Sequence, residues 1–482
     1  MGISGALNNA LSGLTANARM AEVVSSNLSN ALTDGYARRS VELSSVQVGD
    51  VGGGVQIDAI NRFVDAGLVA DRRLADASLA GQERNADMLV RLQQSLGGPD
   101  DAQSLIARLG EFESALIKAS SDPASEMRLA TAVSRLDDVA ATLRANTTTV
   151  QSLRQEADAA IARDVDRLNL ALEQVDALNE DILRITGGGN DPSALLDARQ
   201  RTIDKIAGLI PIREVLQQDG SIGLLTTNGA TLLDSQAAVI SFQRTPTITA
   251  DMTYASGALG GLSIDGAPVD PGSGIGRLDG GAIGASFAMR DRTLTEVQAS
   301  LDIFAADLIA RFQDPANDPS LAVGDLGLLT DQGGVLDLTD LSGLAGRIGL
   351  NPSIDPLAGG APEMLRDGMG AAGSGLAGDP AQINRWISAL SDARGDVPGS
   401  DLQSADKRAA LLTEQIAGTR LRAESELGFT MARWETLREA ELSDGVDTDR
   451  ELQTLLQIEQ AYAANARVIE TVDFLMQRLL EI

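Results

Sequence analysis

The chain has 482 residues, enough for roughly two to four domains and a core that needs no disulfide or metal to hold it. It contains no Cys and no His, which removes thiol and imidazole chemistry, His-dependent triads and nearly every zinc or copper site. Its net charge of -29, three lysines (Lys118, Lys205, Lys407) and 3% aromatic content leave no basic run for phosphates and few stacking platforms, so neither nucleic acid nor an anionic membrane is an expected partner.

The N-terminus, Met1 to Met20, lacks a basic n-region and a continuous apolar stretch, and no run of 18 apolar residues occurs anywhere. Export without a cleaved signal peptide is therefore the expectation for a chain that leaves the cell. From Ile3 to Leu32, Leu7, Leu11, Leu14, Ala18, Ala21, Ser25, Leu28 and Leu32 recur at coiled-coil spacing. The helix is expected to stop at Thr33-Asp34-Gly35, where Gly supplies a left-handed residue. Alternation from Val41 to Ile60 around Gly52-Gly53-Gly54 predicts a short hairpin-like link, and helical period returns over 62–95.

A helix over 103–119 should end before Ser121-Asp122-Pro123, with Asp122 as N-cap and Pro123 as first residue of the next helix. That next helix is long: apolar steps of four and three run from Leu129 to Ile185, interrupted at Thr147, Arg154 and Asp164, and stop at Gly187-Gly188-Gly189. Asp191-Pro192 opens a shorter helix. From Ile212 the texture shifts to Thr, Gly and Val with turn dipeptides Asp219-Gly220, Asn228-Gly229 and Asp265-Gly266, which predicts a compact β domain up to about Gly284. Helical period resumes from Phe287 to Leu308. Residues 314–378, rich in Gly, Pro and Asp, read as loops with one or two short strands. Helix restarts after Asp379-Pro380, and a second long one runs from about Leu402 through Leu437. After the break at Ser443 to Asp447, Thr448 to Glu451 reads as a capping box. It opens a last helix whose seam is Leu455, Ile458, Tyr462, Asn465, Ile469, Val472, Met476 and Leu479.

The expected fold is multidomain and mainly α: long terminal coiled-coil helices and a helical rod domain with an inserted small β domain. The expected boundaries are an N-terminal axial helix (1–40), a short β link (41–61), the first half of the rod (62–211), the β insert (212–284), the second half of the rod (285–442, loop-rich over 314–378) and a C-terminal axial helix (443–482). On periodicity alone the two terminal helices either complete an ordinary bundle or form a polymerisation module. Asn465, polar in an apolar seam, is either a solvated position or a buried amide that fixes register, and we prefer the second.

No cofactor or metal site is expected. Gly368 to Gly373 fits G-x-G-x-x-G but follows no strand and reads as flexible loop. No Walker pattern occurs. Gly187 to Asp191 would be a single turn of a calcium β-roll, an architecture that needs stacked copies. Asp444, Asp447, Asp449 and Glu451 lack EF-hand spacing and suit a helix N-terminus. Two carboxylates in register could still cleave a glycan, and a secreted carboxylate-dependent hydrolase is the alternative from another class; a surface adhesin using residues 212–284 is a third.

Ser12-Gly13-Leu14-Thr15-Ala16 and the stretch Asn27 to Arg38 resemble the signature of bacterial flagellar axial proteins of rod, hook and hook-filament junction, although Leu32 stands where that signature usually has Asn. Leu455 to Ile469 is similar to the partner signature at the other end of the same proteins. The long helix pair, the Leu195 to Arg199 segment, the Asp219-Gly220-Ser221 turn and the Asp444 to Asp447 break look like the hook-associated protein 1 branch of that family. The resemblance implies a structural subunit without catalytic activity, exported unfolded through the type III apparatus to the outside of the cell. It also implies polymerisation at the distal end of the hook, with the hook protein below and the second hook-filament junction protein above, and a chaperone on the C-terminal helix before export. The assembly interface then consists of the seam residues Leu7, Leu11, Leu14, Leu28, Leu32, Leu455, Ile458, Tyr462, Asn465, Ile469, Val472, Met476 and Leu479, with Gly35 and Tyr36.

Overall fold

A computed structural model describes residues 3–48, 51–98, 101–269 and 276–480. Helix α1 (Ile3–Ser29) is followed by a turn and an antiparallel hairpin, β1 (Arg39–Val48) with β2 (Val51–Arg62), in which Arg39 pairs with Arg62 and Ser45 with Val55. Gly35 has φ 72°, the left-handed residue the sequence asks for. The rod then begins with α2 (Ala66–Leu96), started by Asp65, whose carboxylate accepts from the Gly67 and Leu68 amides at 2.9 and 3.0 Å.

After α3 (Leu105–Ser121) the chain turns into α4 (Glu126–Gly187). Asp122 is not its N-cap. The proline that follows holds Asp122 extended, at φ -151° and ψ 76°, where it closes α3, and α4 starts only at Glu126 after Ser125. At 62 residues α4 extends about 93 Å at 1.5 Å per residue. It ends at Gly188, with Gly189 at φ 73°. The Asp191 carboxylate then accepts from the Ser193 amide and hydroxyl at 2.9 and 2.6 Å to open α5 (Ser193–Leu209).

Six short strands follow: β3 (Ile212–Leu216), β4 (Ile222–Thr226) and β5 (Thr231–Leu233) form one meander, and β6 (Ile240–Phe242), β7 (Leu262–Ile264) and β8 (Ala267–Val269) a second. Both central residues of the Asp265-Gly266 turn have positive φ, 49° and 79°, the primed form whose twist matches a hairpin. Helix returns with α6 (Gly281–Ala288), so Gly284 lies within a helix, and continues through a π-helical turn at Met289–Thr293 into α7 (Leu294–Gln313). A loop-rich stretch carries β9 (Leu329–Asp331), α8 (Leu344–Arg347), β10 (Ile348–Leu350) and α9 (Met364–Asp367), with β9 and β10 antiparallel. The chain closes with α10 (Ala381–Ser391), α11 (Ala405–Asp444) and α12 (Thr448–Leu480).

Helix α4 runs through two separate apolar cores. Its first half, Leu129 to Ala157, packs with Phe112, Phe304, Phe312, Trp386 and Leu412; its second, Ile161 to Val175, packs with Ile203, Ile206, Leu224, Leu232 and Phe287. Between them lies a buried polar belt. Arg154 donates to the carbonyls of Arg290, Thr249 and Met252 at 3.0, 3.0 and 2.5 Å. Arg290 pairs with Asp158 at 2.6 Å and lies 4.7 Å from the centroid of Phe287, while Asp158 also accepts from the Thr245 amide at 2.8 Å. The residue that interrupts the apolar period at 154 therefore satisfies backbone carbonyls of an irregular loop that would otherwise be buried without partners.

Candidate functional site

The two ends of the chain meet. Helices α1 and α12 pack along each other, and the β1–β2 hairpin lies against α1. The inward face of α1 carries small and polar residues: Ala10, Ala16, Asn17, Val23, Val24 and Asn27. This differs from the leucine stripe singled out by periodicity, which at 100° per residue lies about a third of a turn around the helix. Leu7 and Leu11 are exposed, Leu11 by 56%, Leu32 is 93% exposed, and Leu14 and Leu28 are half-buried. The physical reason is close approach. A Cβ on Gly13 would lie 2.6 Å from the amide nitrogen of Asn465, and one on Gly54 would lie 2.2 Å from Ser12 Oγ, which accepts from the Val55 amide at 3.2 Å. Small side chains let three backbones meet, and the leucines are left on the flank.

Helix α12 uses the seam its sequence marks. Ile458 and Val472 are buried and Leu455, Asn465 and Ile469 half-buried, yet Tyr462 is 47% and Met476 48% exposed; the Leu479 side chain lies outside the described residues.

The joint between terminal helices and rod is a polar node built on Asn27. Its Oδ1 accepts from the Arg39 amide at 3.0 Å and from the Tyr36 hydroxyl at 2.9 Å; its Nδ2 donates to the Arg39 carbonyl at 2.8 Å and to Glu451 at 3.1 Å. Glu451, 2% exposed, also takes Arg38 Nε at 2.7 Å. The capping box is thus a misreading. Asp447 caps α12, accepting from the amides of Asp449 and Arg450 at 3.1 Å, because Glu451 is turned inward to a charged partner from the other end of the chain. Arg39 and Arg62 both reach Asp197 of α5, Arg62 at 2.8 Å, and Arg39 covers the Tyr36 ring at 4.9 Å. A Cβ on Gly35 would strike Arg201 at 2.6 Å. Gly35 and Tyr36, expected in the assembly interface, lie within the chain's own joint. Asn27, Arg38 and Glu451 were not foreseen, since a pairing across 413 and 424 positions leaves no local pattern.

A second node ties α2, α5 and α11 together. Arg72 meets Asp76, Asp204 and Glu441 at 2.5, 2.7 and 2.6 Å, Arg73 meets Asp204 at 2.6 Å, and the Trp434 indole donates to Asp76 at 2.6 Å. Burial pushes Asp76 and Glu441 above the usual carboxylate range despite Arg72. Burial also works to lower Arg72, but Asp204 and the other carboxylates hold it above its ordinary value.

Asp318 and Ser320 hold backbone amides of a glycine-rich loop. The amides of Met369 and Gly370 in the Gly368–Gly373 run donate to Asp318 and Ser320 at 2.7 and 2.9 Å, so that loop is fastened rather than flexible and its amides are already used. Among the described residues no group of three acidic side chains is placed to hold a metal, and no helix is long and apolar enough to cross a membrane.

Three family models match in chain order: flagella basal body rod protein over 7–36, flagellar hook-associated protein FlgK helical domain over 89–318, and flagellar basal body rod FlgEFG protein C-terminal over 443–482. Similar proteins include flagellar hook-associated protein 1 of Escherichia coli (23% identical, covering 67% of this chain and 59% of the relative) and of Salmonella typhimurium (25%, 62% and 54%). That of Bacillus subtilis is 22% identical over 98% of this chain and 97% of the relative. The chain thus spans little more than half the length of the first two. A solved structure of the flagellar hook junction protein FlgK from Burkholderia pseudomallei aligns with TM-score 0.45 at 19% identity, over 54% of this chain and 46% of that one. Both terminal segments and the helical domain are thus matched in one order, and along most of its length the chain is similar to the flagellar hook-associated protein 1 family.

Proposed function

We propose that this chain is a structural subunit of the bacterial flagellum that polymerises at the distal end of the hook and joins hook to filament, with no catalytic role. One observation carries the reading. The terminal helices, 27 and 33 residues long, pair at one end of the rod and still hold Leu7, Leu11, Leu32, Tyr462 and Met476 in water. An apolar edge of that length on a rigid stem is a surface waiting for copies of itself or for neighbours in an axial polymer.

In this reading the seam residues form the assembly interface, the strands β3 to β8 lie outside it, and the immediate partners are the hook protein and the second junction protein. Before export, a chaperone covers α12, whose exposed Leu456, Phe474 and Leu475 would otherwise aggregate. The absence of His and Cys fits a passive part, as does the use of the buried carboxylates Asp158, Asp307 and Asp318 by arginines or backbone amides.

The test is location and truncation together. In cells with hooks but no flagellin, the labelled chain is expected at hook tips, and removal of residues 450–482 should leave a soluble rod that no longer reaches them. A truncated chain that still supports filaments sinks the assembly role of α12. Label spread over the cell body would contradict the junction.

A further inference from the structure

Beyond Ala423 no described residue of α11 is buried. The helix nevertheless continues to Asp444 along α2, with Leu427, Trp434 and Leu437 half-buried and a cluster of charges around Arg72 near its end. That cluster is unbalanced. Two guanidiniums, Arg72 and Arg73, with side chains 11% and 3% exposed, serve four carboxylates: Asp76 of α2, Asp204 of α5, Glu214 of β3 and Glu441 of α11. In a place largely withdrawn from water, carboxylates in excess of their counter-charges repel one another at a real cost.

The charges that border the cluster do not correct this. Across the adjoining cavity of about 480 Å³ stand Asp34, Glu83, Lys205 and Arg438, and on the other flank of Glu441 stand Arg38, Arg62, Asp65 and Asp444, as many acidic as basic. Asp76 and Glu441 line that cavity and are 17% and 29% exposed, so protons from solvent reach them. A proton taken up between the two removes one excess charge and leaves Arg72 its remaining partners, Asp204 at 2.7 Å among them. Burial, with Asp204 adding to it, raises both carboxylates above their ordinary values. The docked end of α11 therefore holds that proton more tightly than a detached end would, so docking strengthens as pH falls and weakens as pH rises.

We propose that this cluster is a proton-tightened latch: one proton shared by Asp76 and Glu441 seats the C-terminal end of α11 on α2, and full ionisation loosens it. The end of α11 leads through Ser443 to Asp447 into α12, whose Glu451 takes Asn27 and Arg38, so the latch sets how firmly the terminal pair is seated on the rod. It does not depend on what the terminal helices assemble with.

The chain carries its own reporter. Of its two tryptophans, Trp386 is fully enclosed, whereas Trp434 is half-buried and donates to Asp76 at 2.6 Å. Acrylamide quenching of the full-length chain is expected to weaken as pH drops from about 8 into the window just above 4.5, and the amides of residues 425–444, corrected for intrinsic rates, to exchange about threefold more slowly. Glu441→Gln, neutral and of the same shape, should show the protected state already at about pH 8 and lose most of the pH response. Asp204→Asn, which removes the neighbouring repulsion, should move the response to lower pH. Slow exchange throughout α4 is the control that the rod is intact in each sample. An ion pair that merely braces the helix gives the opposite sign, faster exchange and stronger quenching in Glu441→Gln, and that result overturns the latch. So does a flat response in wild type, or one that survives unchanged in both variants.

Discussion

Helix α4 and the pair α1 and α12 carry apolar residues at the same spacing, yet their fates differ. Along α4, Leu129, Leu136, Leu143, Ile161, Leu168 and Leu172 are fully enclosed, because α3, α5, α6, α7 and the strands surround it. Along the ends, α1 has one helical neighbour and a two-stranded hairpin while α12 packs mainly on α1, and the flanks stay wet. Periodicity reports that a helix has an apolar face. Whether that face is covered from within the chain depends on how many other elements the topology brings to it, and the rod has many where the ends have few.

The comparison can be broken first in the rod. Trp386→Ala removes a fully enclosed ring stacked edge-on to Phe312 at 5.5 Å and should cost about 3–5 kcal/mol in urea unfolding. If it leaves Tm unchanged, the rod is not the rigid partner. Asp158→Ala leaves the buried Arg290 with Asp291 as its remaining carboxylate and frees the Thr245 amide, and is expected to cost about 2–3 kcal/mol, with faster amide exchange in residues 243–260.

At the joint the effect shrinks. Glu451→Ala loses bonds from Asn27 and Arg38, worth about 1–3 kcal/mol locally, and should accelerate exchange in α12 while the rod melts as before. Smaller again, Leu11→Ala and Leu32→Ala should stay within about 0.5 kcal/mol for the monomer yet impair assembly, because these side chains touch little within the chain.

The finest probe is pH. Burial raises Asp302 above its ordinary 3.8, although the Ala345 and Gly343 amides and Gln298 donate to it. The folded chain therefore holds that proton more tightly than the unfolded one, and stability from this group falls as pH rises through the window just above 3.8. Asp302→Asn should flatten that slope, measured as the difference in unfolding free energy between wild type and variant at pH 4 and pH 6; an unchanged slope would show that Asp302 ionises normally.

Much of this architecture is legible in the sequence for physical reasons. The long helices declare themselves by period, the end of α4 by Gly188-Gly189, and the hairpin turns by Asp-Gly and Asn-Gly. Thr147, Arg154 and Asp164 already break the apolar period of α4, but their partners Gln298, Arg290 and Arg84 lie 151, 136 and 80 positions away and could not be named. The inner face of α1 was hidden because alanine, glycine and asparagine do not look like a seam. Glu451 was misplaced because three residues after a threonine it has the spacing of a cap, and only the arrival of Arg38 and Asn27 shows its real use.

The most direct test of the difference between rod and ends is hydrogen exchange on the full-length chain, read segment by segment in monomer and in hook-attached material. Amides of α4 and α7 are expected to be slow in both. Those of α12 beyond Asn465, and of α1 before Ala10, are expected to exchange rapidly in the monomer and to become slow on assembly. If α12 is as protected as α4 in the monomer, or gains nothing on assembly, the terminal helices are an ordinary part of the fold and not its polymerising surface.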